Sequence, residues 1–579
     1  MKILLINPYC LERRLQEDDI SVVPIGLYYV GAVLKEKGYD VEILNWYNIN
    51  ENPKLIEKTF VEKNPDVLGF SVLHANRWGA IEIAEIGKKL NPDIKVVFGG
   101  IGTTFLWDHF LRFFPVVDYT VIGEGEYSFL ELLSHISGSS GEMIENIKGI
   151  GFRKDGEPFR TEDRDFIENL DELPHPAKYF NFRHLSSTRG CPWNCSFCGS
   201  PRFWKRRVRF HSPEYFVDEL ELQYKKGINF FYVSDDTFTI DKKRVIRICK
   251  LIIERKLEIT WVAISRVNYV DDETLKWLRR AGCIQVSYGV ESGSEQIRRT
   301  LNKKIKRADV LKAFQLTVRY GIMPRAYFIY GSPGESRETI EESIKLIKDI
   351  KPLSAIFYIL DIFPGTDLYE DFKKRFKVGD EIWLKKIEDI MYHETDPALT
   401  REMVLAFGNR LRQAFFGNLP EFVESIRLVD EKEFYPLHAD FLSRLGLTFS
   451  HGDYSKNSYI TDPDQIAERL FRKSLSYHPN ARAYVGLGML LQKRKLFKDS
   501  ITILREGLSS FQRNDRLNMC LAISYMNLQR FSDALHHLSR CRETREVLYY
   551  MACCYRALGD TLNERKYLRR MQQVYQGGS

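Results

Sequence analysis

No stretch of this chain reaches the roughly 18 consecutive apolar residues that a membrane-spanning helix needs. The amino-terminal apolar run, Ile3 to Ile6, is too short for a secretory signal and reads as a buried strand, so a cytoplasmic protein is expected. Cysteine is sparse, 10 in 579 residues, too few for a disulfide scaffold and in keeping with a reducing compartment. Nor does one sign of charge dominate. The 85 basic and 78 acidic residues are interleaved and leave a net charge of +7, a small excess for the length that argues against a nucleic-acid partner. The densest basic run, Arg202 to Arg209, reads as a solvated or phosphate-facing strip rather than an RNA site. What is there is an ordinary globular composition, 44% hydrophobic and 28% charged. The length exceeds one hydrophobic core and points to about three or four domains.

Residues 1–140 alternate short apolar runs (KILLI, VEIL, DVLGFSV, KVVFGG, YTVIGEGE) with helical stretches, the pattern of a parallel α/β sheet. In such a sheet the ligand lies beyond the carboxyl ends of the strands. The loops there hold Asn7 and Pro8; Ser71, Leu73 and His74; Gly99, Gly100, Gly102 and Thr103; and Gly123, Glu124 and Gly125. A dinucleotide site would put its glycines in the first strand-to-helix turn, where this chain has Asn7-Pro8-Tyr9, so that reading fails on position. Residues 141–183 are polar, with Gly156, Pro158, Pro174 and Pro176, and read as a linker or strap. From 184 to 375 six further strand-like runs alternate with helices, enough for a partial parallel barrel.

Residues 376–460 form a helical connector, and 461–579 are all-helical and repetitive. There Leu487-Gly488 aligns with Leu521-Ala522, and Ser500 with Ala534, at a period of about 34 residues. The array resembles three to four degenerate tetratricopeptide repeats, which implies a concave surface for a peptide or protein partner; a plain helical bundle is the alternative.

The chemistry sits in SSTRGCPWNCSFCGSP, where Cys191, Cys195 and Cys198 stand as C-x3-C-x2-C on one loop. Thiolates are soft ligands suited to iron or zinc, and three of them leave a four-ligand site one ligand short. A zinc site would need a fourth ligand, for which His184 or His211 could serve. Acids and a base follow in strand order: Asp235-Asp236 after the second strand, Arg266 after the third, and Glu291-Ser292-Gly293 after the fourth. Any one of them alone could be a helix cap or a surface residue.

The cysteine loop and its ordered companions, including Gly331 to Glu335 and Phe363-Pro364-Gly365-Thr366, resemble the radical S-adenosylmethionine superfamily. The GGIGTT and GEGE loops resemble the cobalamin-binding domain that precedes the barrel in one branch of it. That resemblance implies a multidomain α/β plus all-α chain: a Rossmann-like cobalamin domain, a partial (β/α)6 barrel and carboxy-terminal helical repeats. It implies a 4Fe–4S cluster on Cys191, Cys195 and Cys198, S-adenosylmethionine against Asp235, Asp236, Arg266, Glu291 and Ser292, and cobalamin against the loops of residues 1–140. It also implies an electron donor such as flavodoxin or ferredoxin. No D-x-H-x-x-G motif is present, so cobalamin is expected without the histidine that motif supplies. His74 is read as a neighbour of the cobalt, with ligation as the alternative. The activity implied is a methyltransferase that acts on an unactivated carbon of a small molecule or peptide, through a 5′-deoxyadenosyl radical and methylcobalamin. A non-methylating ring cyclase of the same branch and a corrinoid-binding interaction protein are the alternatives.

Overall fold

The computed structural model describes residues 1–11 and 23–576. They divide into two compact units, residues 1–315 with 324–412, and residues 316–323 with 413–579.

The first unit begins with β1 (Lys2–Asn7), β2 (Asp40–Asn45), β3 (Val67–Ser71), β4 (Lys95–Gly99) and β5 (Tyr119–Val121). They alternate with α1 (Ile25–Glu36), α2 (Lys54–Lys63), α3 (Arg77–Leu90), α4 (Ile101–Phe113) and α5 (Gly125–Ile136). The period of two in a strand decides which core each side chain enters. Ile3 and Leu5 of β1 join Leu27, Val97 and Phe129 on one face, whereas Leu4 and Ile6 join Phe70, Phe98 and Phe110 on the other. Helices therefore cover both faces, the strands run parallel, and all strand ends that can meet a ligand lie on one edge.

The polar stretch after residue 140 is more than a strap. It supplies β6 (Ile150–Lys154) and β7 (Glu157–Arg160), which extend the sheet antiparallel in the order β2-β1-β3-β4-β5-β6-β7. Asp155 and Gly156, both at positive φ (53° and 88°), make the tight turn between them. Only Ile150, Gly151 and Phe152 of β6 are buried, so the hairpin lacks the apolar run that marks the inner strands.

The barrel strands are β8 (His184–Leu185), β11 (Phe230–Val233), β12 (Thr260–Ser265), β13 (Cys283–Glu291), β14 (Met323–Tyr330) and β15 (Ser354–Ile359). They form one six-stranded sheet in the order β15-β14-β13-β12-β11-β8, open at both edges. Two short antiparallel pairs sit beside it: β9 (Thr188–Arg189) with β10 (Arg209–Phe210), and β16 (Asp361–Ile362) with β17 (Ile390–Met391).

In the second unit, eight helices between Tyr435 and Gln576 follow one another in antiparallel pairs. Small residues set their approach: a Cβ on Gly446 would lie 2.7 Å from Phe471, and one on Gly488 would lie 2.6 Å from Leu504. The Ser500 hydroxyl donates to Gly488 O across the same pair at 3.0 Å. Among the described residues no helix is long and apolar enough to cross a membrane.

Candidate active site

A cavity of about 330 Å³ lies within the first unit, where the carboxyl ends of β1, β3, β4 and β5 face the start of the barrel. One wall contains Leu5, Gly26, Val30, Gly69 and Phe129, together with Ser71, Gly99, Gly100, Gly123, Glu124 and Gly125. The other contains Thr188, Arg189, Gly190, Trp204, Ser234 and Asp236. The first wall is shaped by missing side chains. Gly100 and Gly123 sit at φ of 95° and 80°, where a side chain is strained, and a Cβ on Gly26 or Gly123 would meet nothing within 4 Å. Thr104 accepts a hydrogen bond from Gly123 N at 3.0 Å and so ties the two glycine loops together.

Six of the expected corrinoid residues line this cavity; the other six do not. Asn7 is buried and its amide donates to Asn45 at 3.0 Å, while Pro8 packs beside it. The Thr103 hydroxyl donates to Gly99 O at 3.1 Å, a bond inside the turn. Gly102 is there for packing, since a Cβ on it would lie 2.8 Å from Leu73 Cα. Leu73 is 40% exposed, and His74 turns away to Asp361 and Asp389, with Nε2 3.2 Å from each. Burial pulls the imidazole towards neutrality, but these two carboxylates outweigh it and raise its pKa.

Glu124, expected at the corrinoid, and its neighbour Glu126 are both held by cations of the chain. Arg189 reaches both, at 2.6 Å for Glu126, and Arg209 holds Glu124 at 2.8 Å, with all four side chains nearly buried. Burial alone would raise the Glu124 pKa, yet the two guanidiniums hold it below the usual carboxylate range. These acids therefore join the sheet to the β9–β10 pair, while their turn still lines the cavity. The rest of the basic run is similarly engaged: Arg207 pairs with Glu168, Lys205 with Asp163 and Arg202 with Asp367.

The cysteine loop leaves β9 at Gly190, whose φ of 98° is required because a Cβ there would lie 2.0 Å from Arg207 O. Arg266 buttresses it, with Nη1 3.7 Å from Cys195 Sγ and the guanidinium 4.2 Å from the centre of the Trp193 ring. Burial raises the Cys191 thiol and pushes Cys198 up to about 12, so metal uptake must displace protons. The three sulfurs are not gathered around a point. Among the described residues the only three or more His, Cys, Asp or Glu ligand atoms within 4.8 Å of one another are those of His74, Asp361 and Asp389. One tetrahedral zinc would draw its sulfurs to about 3.8 Å apart, whereas a cubane cluster keeps its thiolates on separate irons. His184 and His211 do not complete a zinc set either; His184 stacks on Tyr232 and His211 bonds Tyr29 and Asp171.

The adjacent aspartates diverge. Asp235 is buried and accepts from Ser187 N at 2.6 Å, Thr188 N at 3.0 Å and the hydroxyls of Ser186 and Ser187; it fixes the strand that leads into the cysteine loop. Asp236 looks into the cavity, with one oxygen on the Ser200 hydroxyl at 2.6 Å. Enclosure raises its pKa, Ser200 opposes that, and the Asp235 charge adds to it. Glu291, at a φ of 64°, pairs with Lys303 at 2.7 Å. Ser292 is buried against Ser343 at 3.2 Å, where the glycine at 293 lets the loop touch the helix behind it. Arg189, Arg209, Lys303 and Asp389 were not anticipated. The acidic turn and the basic run were both visible, and their charge complementarity was the signal that could have joined them.

Comparison with known proteins finds the Radical SAM superfamily model over residues 185–347 and the B12 binding domain model over residues 20–133. An uncharacterized methyltransferase, PH0819, of Pyrococcus horikoshii is 33% identical over 382 residues, 64% of this chain and 83% of that one. An anaerobic magnesium-protoporphyrin IX monomethyl ester cyclase of Rubrivivax gelatinosus is 31% identical over 375 residues, 62% of this chain and 67% of that one. Among solved structures, the radical S-adenosylmethionine methyltransferase TsrM of Kitasatospora setae, with cobalamin and a [4Fe-4S] cluster bound, superposes with a TM-score of 0.58. It shares 17% identity and covers 82% of this chain and 100% of its own. The cobalamin-dependent S-adenosylmethionine radical enzyme OxsB gives 0.55 at 15% identity, over 99% of this chain and 84% of its own. At these identities the structures speak for the fold alone.

Proposed function

This chain belongs to the family of radical S-adenosylmethionine enzymes that carry a B12-binding domain, and we propose that within it the chain is a methyltransferase acting on an unactivated carbon of a small molecule or peptide. Its cofactors are a 4Fe–4S cluster, S-adenosylmethionine and cobalamin. The observation that carries the reading is one continuous cavity, lined by the glycine-rich strand ends on one side and by Asp236, Gly190 and the approach to the cysteine loop on the other.

The residues fit these groups. The open space beside Gly26 and Gly123, bounded by Leu5, Val30 and Phe129, suits the apolar tail base of a corrinoid, and the separated thiols of Cys191, Cys195 and Cys198 suit a cluster. When bound, the cluster supplies one electron to the sulfonium, and cobalamin supplies the methyl group. The chain does the rest. Asp236 would offer a carboxylate to the ammonium of the methionine moiety, and Glu291, steadied by Lys303, would accept from ribose hydroxyls. Arg266 holds Cys195 in place, and Asp235 holds the strand beneath the loop.

The test is anaerobic reconstitution with iron, sulfide and cobalamin, followed by S-adenosylmethionine, a reductant and quantification of nucleosides. A methyltransferase yields both 5′-deoxyadenosine and S-adenosylhomocysteine. The cyclase relative at 31% identity favours a second reading, ring formation without methylation, for which deoxyadenosine alone is the expected product.

A further inference from the structure

The His74 side chain leaves the loop after β3 and meets the antiparallel β16–β17 pair, whose register sets Asp361 opposite Met391 and brings Asp389 alongside. All three side chains are nearly buried, at 13%, 16% and 8% exposure. Phe363 stacks on the imidazole, its centroid 4.9 Å away and its plane within 4°, and Trp383 meets it edge-on at 5.7 Å. The ring is thus fixed in orientation before any ligand arrives.

The distances are longer than those of a strong, two-centre ion pair. A charge-assisted N–H to carboxylate bond runs about 2.7–2.9 Å, and Nε2 carries at most one hydrogen, which can serve two oxygens only as a longer, bifurcated bond. Here Nε2 lies 3.2 Å from Asp361 Oδ2 and 3.2 Å from Asp389 Oδ1. Equal separations of this length also match the edges of a coordination polyhedron, and the three ligand atoms lie within 4.8 Å of one another. With metal–ligand bonds of about 2.0–2.2 Å, neighbouring donors in tetrahedral or octahedral sites lie about 3.0–3.5 Å apart.

We propose that His74, Asp361 and Asp389 bind one divalent transition-metal ion, separate from the cluster and the corrinoid. Two carboxylates and one imidazole suit manganese, iron(II) or zinc, with the remaining positions open to water. The backbone around the site is anchored independently: Arg77 donates to His74 O at 2.6 Å, to Trp383 O at 3.2 Å and to Lys385 O at 3.0 Å. The ion links the B12-binding sheet to the barrel at the FPGT loop. There a Cβ on Gly365 would lie 2.2 Å from the Phe105 ring, and Phe363 flanks Gly199 of the cysteine loop. Its role is a staple that holds the two walls of the cavity at a fixed separation, whatever the substrate.

The experiment uses chelator-treated, full-length holoenzyme with the cluster oxidised and cobalamin as cobalt(III), both silent in electron paramagnetic resonance. Manganese(II) is titrated in while the free-ion signal is followed. One equivalent should bind and be displaced by zinc, and nitrogen coupling from one imidazole should appear in pulsed spectra. Asp361→Asn and Asp389→Asn should each weaken binding at least tenfold. Manganese that stays free with wild-type protein, bound manganese without imidazole coupling, or undiminished binding in both variants overturns the site. Because wild-type protein alone decides two of these outcomes, a variant that misfolds does not rescue the proposal.

Discussion

On the B12-binding wall of the cavity the carboxylates of Glu124 and Glu126 are engaged by Arg189 and Arg209, and the rest of the lining is mostly glycine and apolar side chain. On the barrel wall Asp236 keeps a carboxylate in the open space, and three thiols stand unlinked on a loop braced by Arg266. One wall offers shape, the other charge and ligating atoms. A motif rich in acids is therefore not by itself a cofactor contact, since the folded chain can bring cations to it first.

That comparison breaks most completely at the thiols. Replacing Cys191, Cys195 and Cys198 together by alanine should abolish both nucleoside products and the iron content while leaving cobalamin bound, as read by metal analysis and the visible spectrum. Next come the two aspartates, which should fail in different ways. Asp235→Ala strands the Ser187 and Thr188 amides and the nearby Arg244, so a stability loss of about 3–5 kcal/mol is expected in denaturant or thermal unfolding. Asp236→Ala should unfold like wild type and bind S-adenosylmethionine about tenfold more weakly by calorimetry, the loss of one charge-assisted hydrogen bond. On the B12-binding wall, Gly26→Phe projects a ring into the open space and should weaken cobalamin retention about tenfold with unchanged iron content.

The smallest expected effect is in pH dependence, and the two buried glutamates should oppose each other. Glu124 has a lowered folded value, so its contribution to stability is full above the unfolded value of about 4.3 and lost as pH falls through the folded one. Glu335 is pushed up to about 7 by burial, against the Gly331 and Ser332 amides that favour its charge. Its contribution is full below about 4.3 and lost as pH rises through 7. Thermal midpoints should therefore show Glu124→Gln destabilised most at neutral pH, and Glu335→Gln gaining on wild type by about 1–2 kcal/mol between pH 5 and pH 8.

Much of this fold was legible because its signals are local. The alternating apolar runs of residues 1–140 mark strands with two buried faces, and six such runs mark the barrel. Cysteines within eight residues of one another advertise a cluster without any knowledge of the fold. The β6–β7 hairpin escaped because it is an edge with one polar face, although its Asp155-Gly156 turn was in plain view. The pairings of Glu124 with Arg209 and of His74 with Asp389 join residues 85 and 315 positions apart, and no periodicity reports such contacts. Asp389 moreover lies in a connector that offered no pattern at all. Asp235 and Asp236 show the limit most sharply: neighbours in one motif read as one site, they are separated only by direction, one side chain bonding the backbone and the other lining the cavity.

The central claim is most directly tested by following the methyl group. Reconstituted protein with cob(I)alamin is given S-adenosylmethionine deuterated in its methyl group, without substrate, and the protein-bound cobalamin is analysed by mass spectrometry. A methyltransferase is expected to form trideuteromethylcobalamin with an equal amount of S-adenosylhomocysteine. Unlabelled cobalamin with deoxyadenosine as the sole nucleoside product would contradict methyl transfer and leave the ring-forming reading in its place.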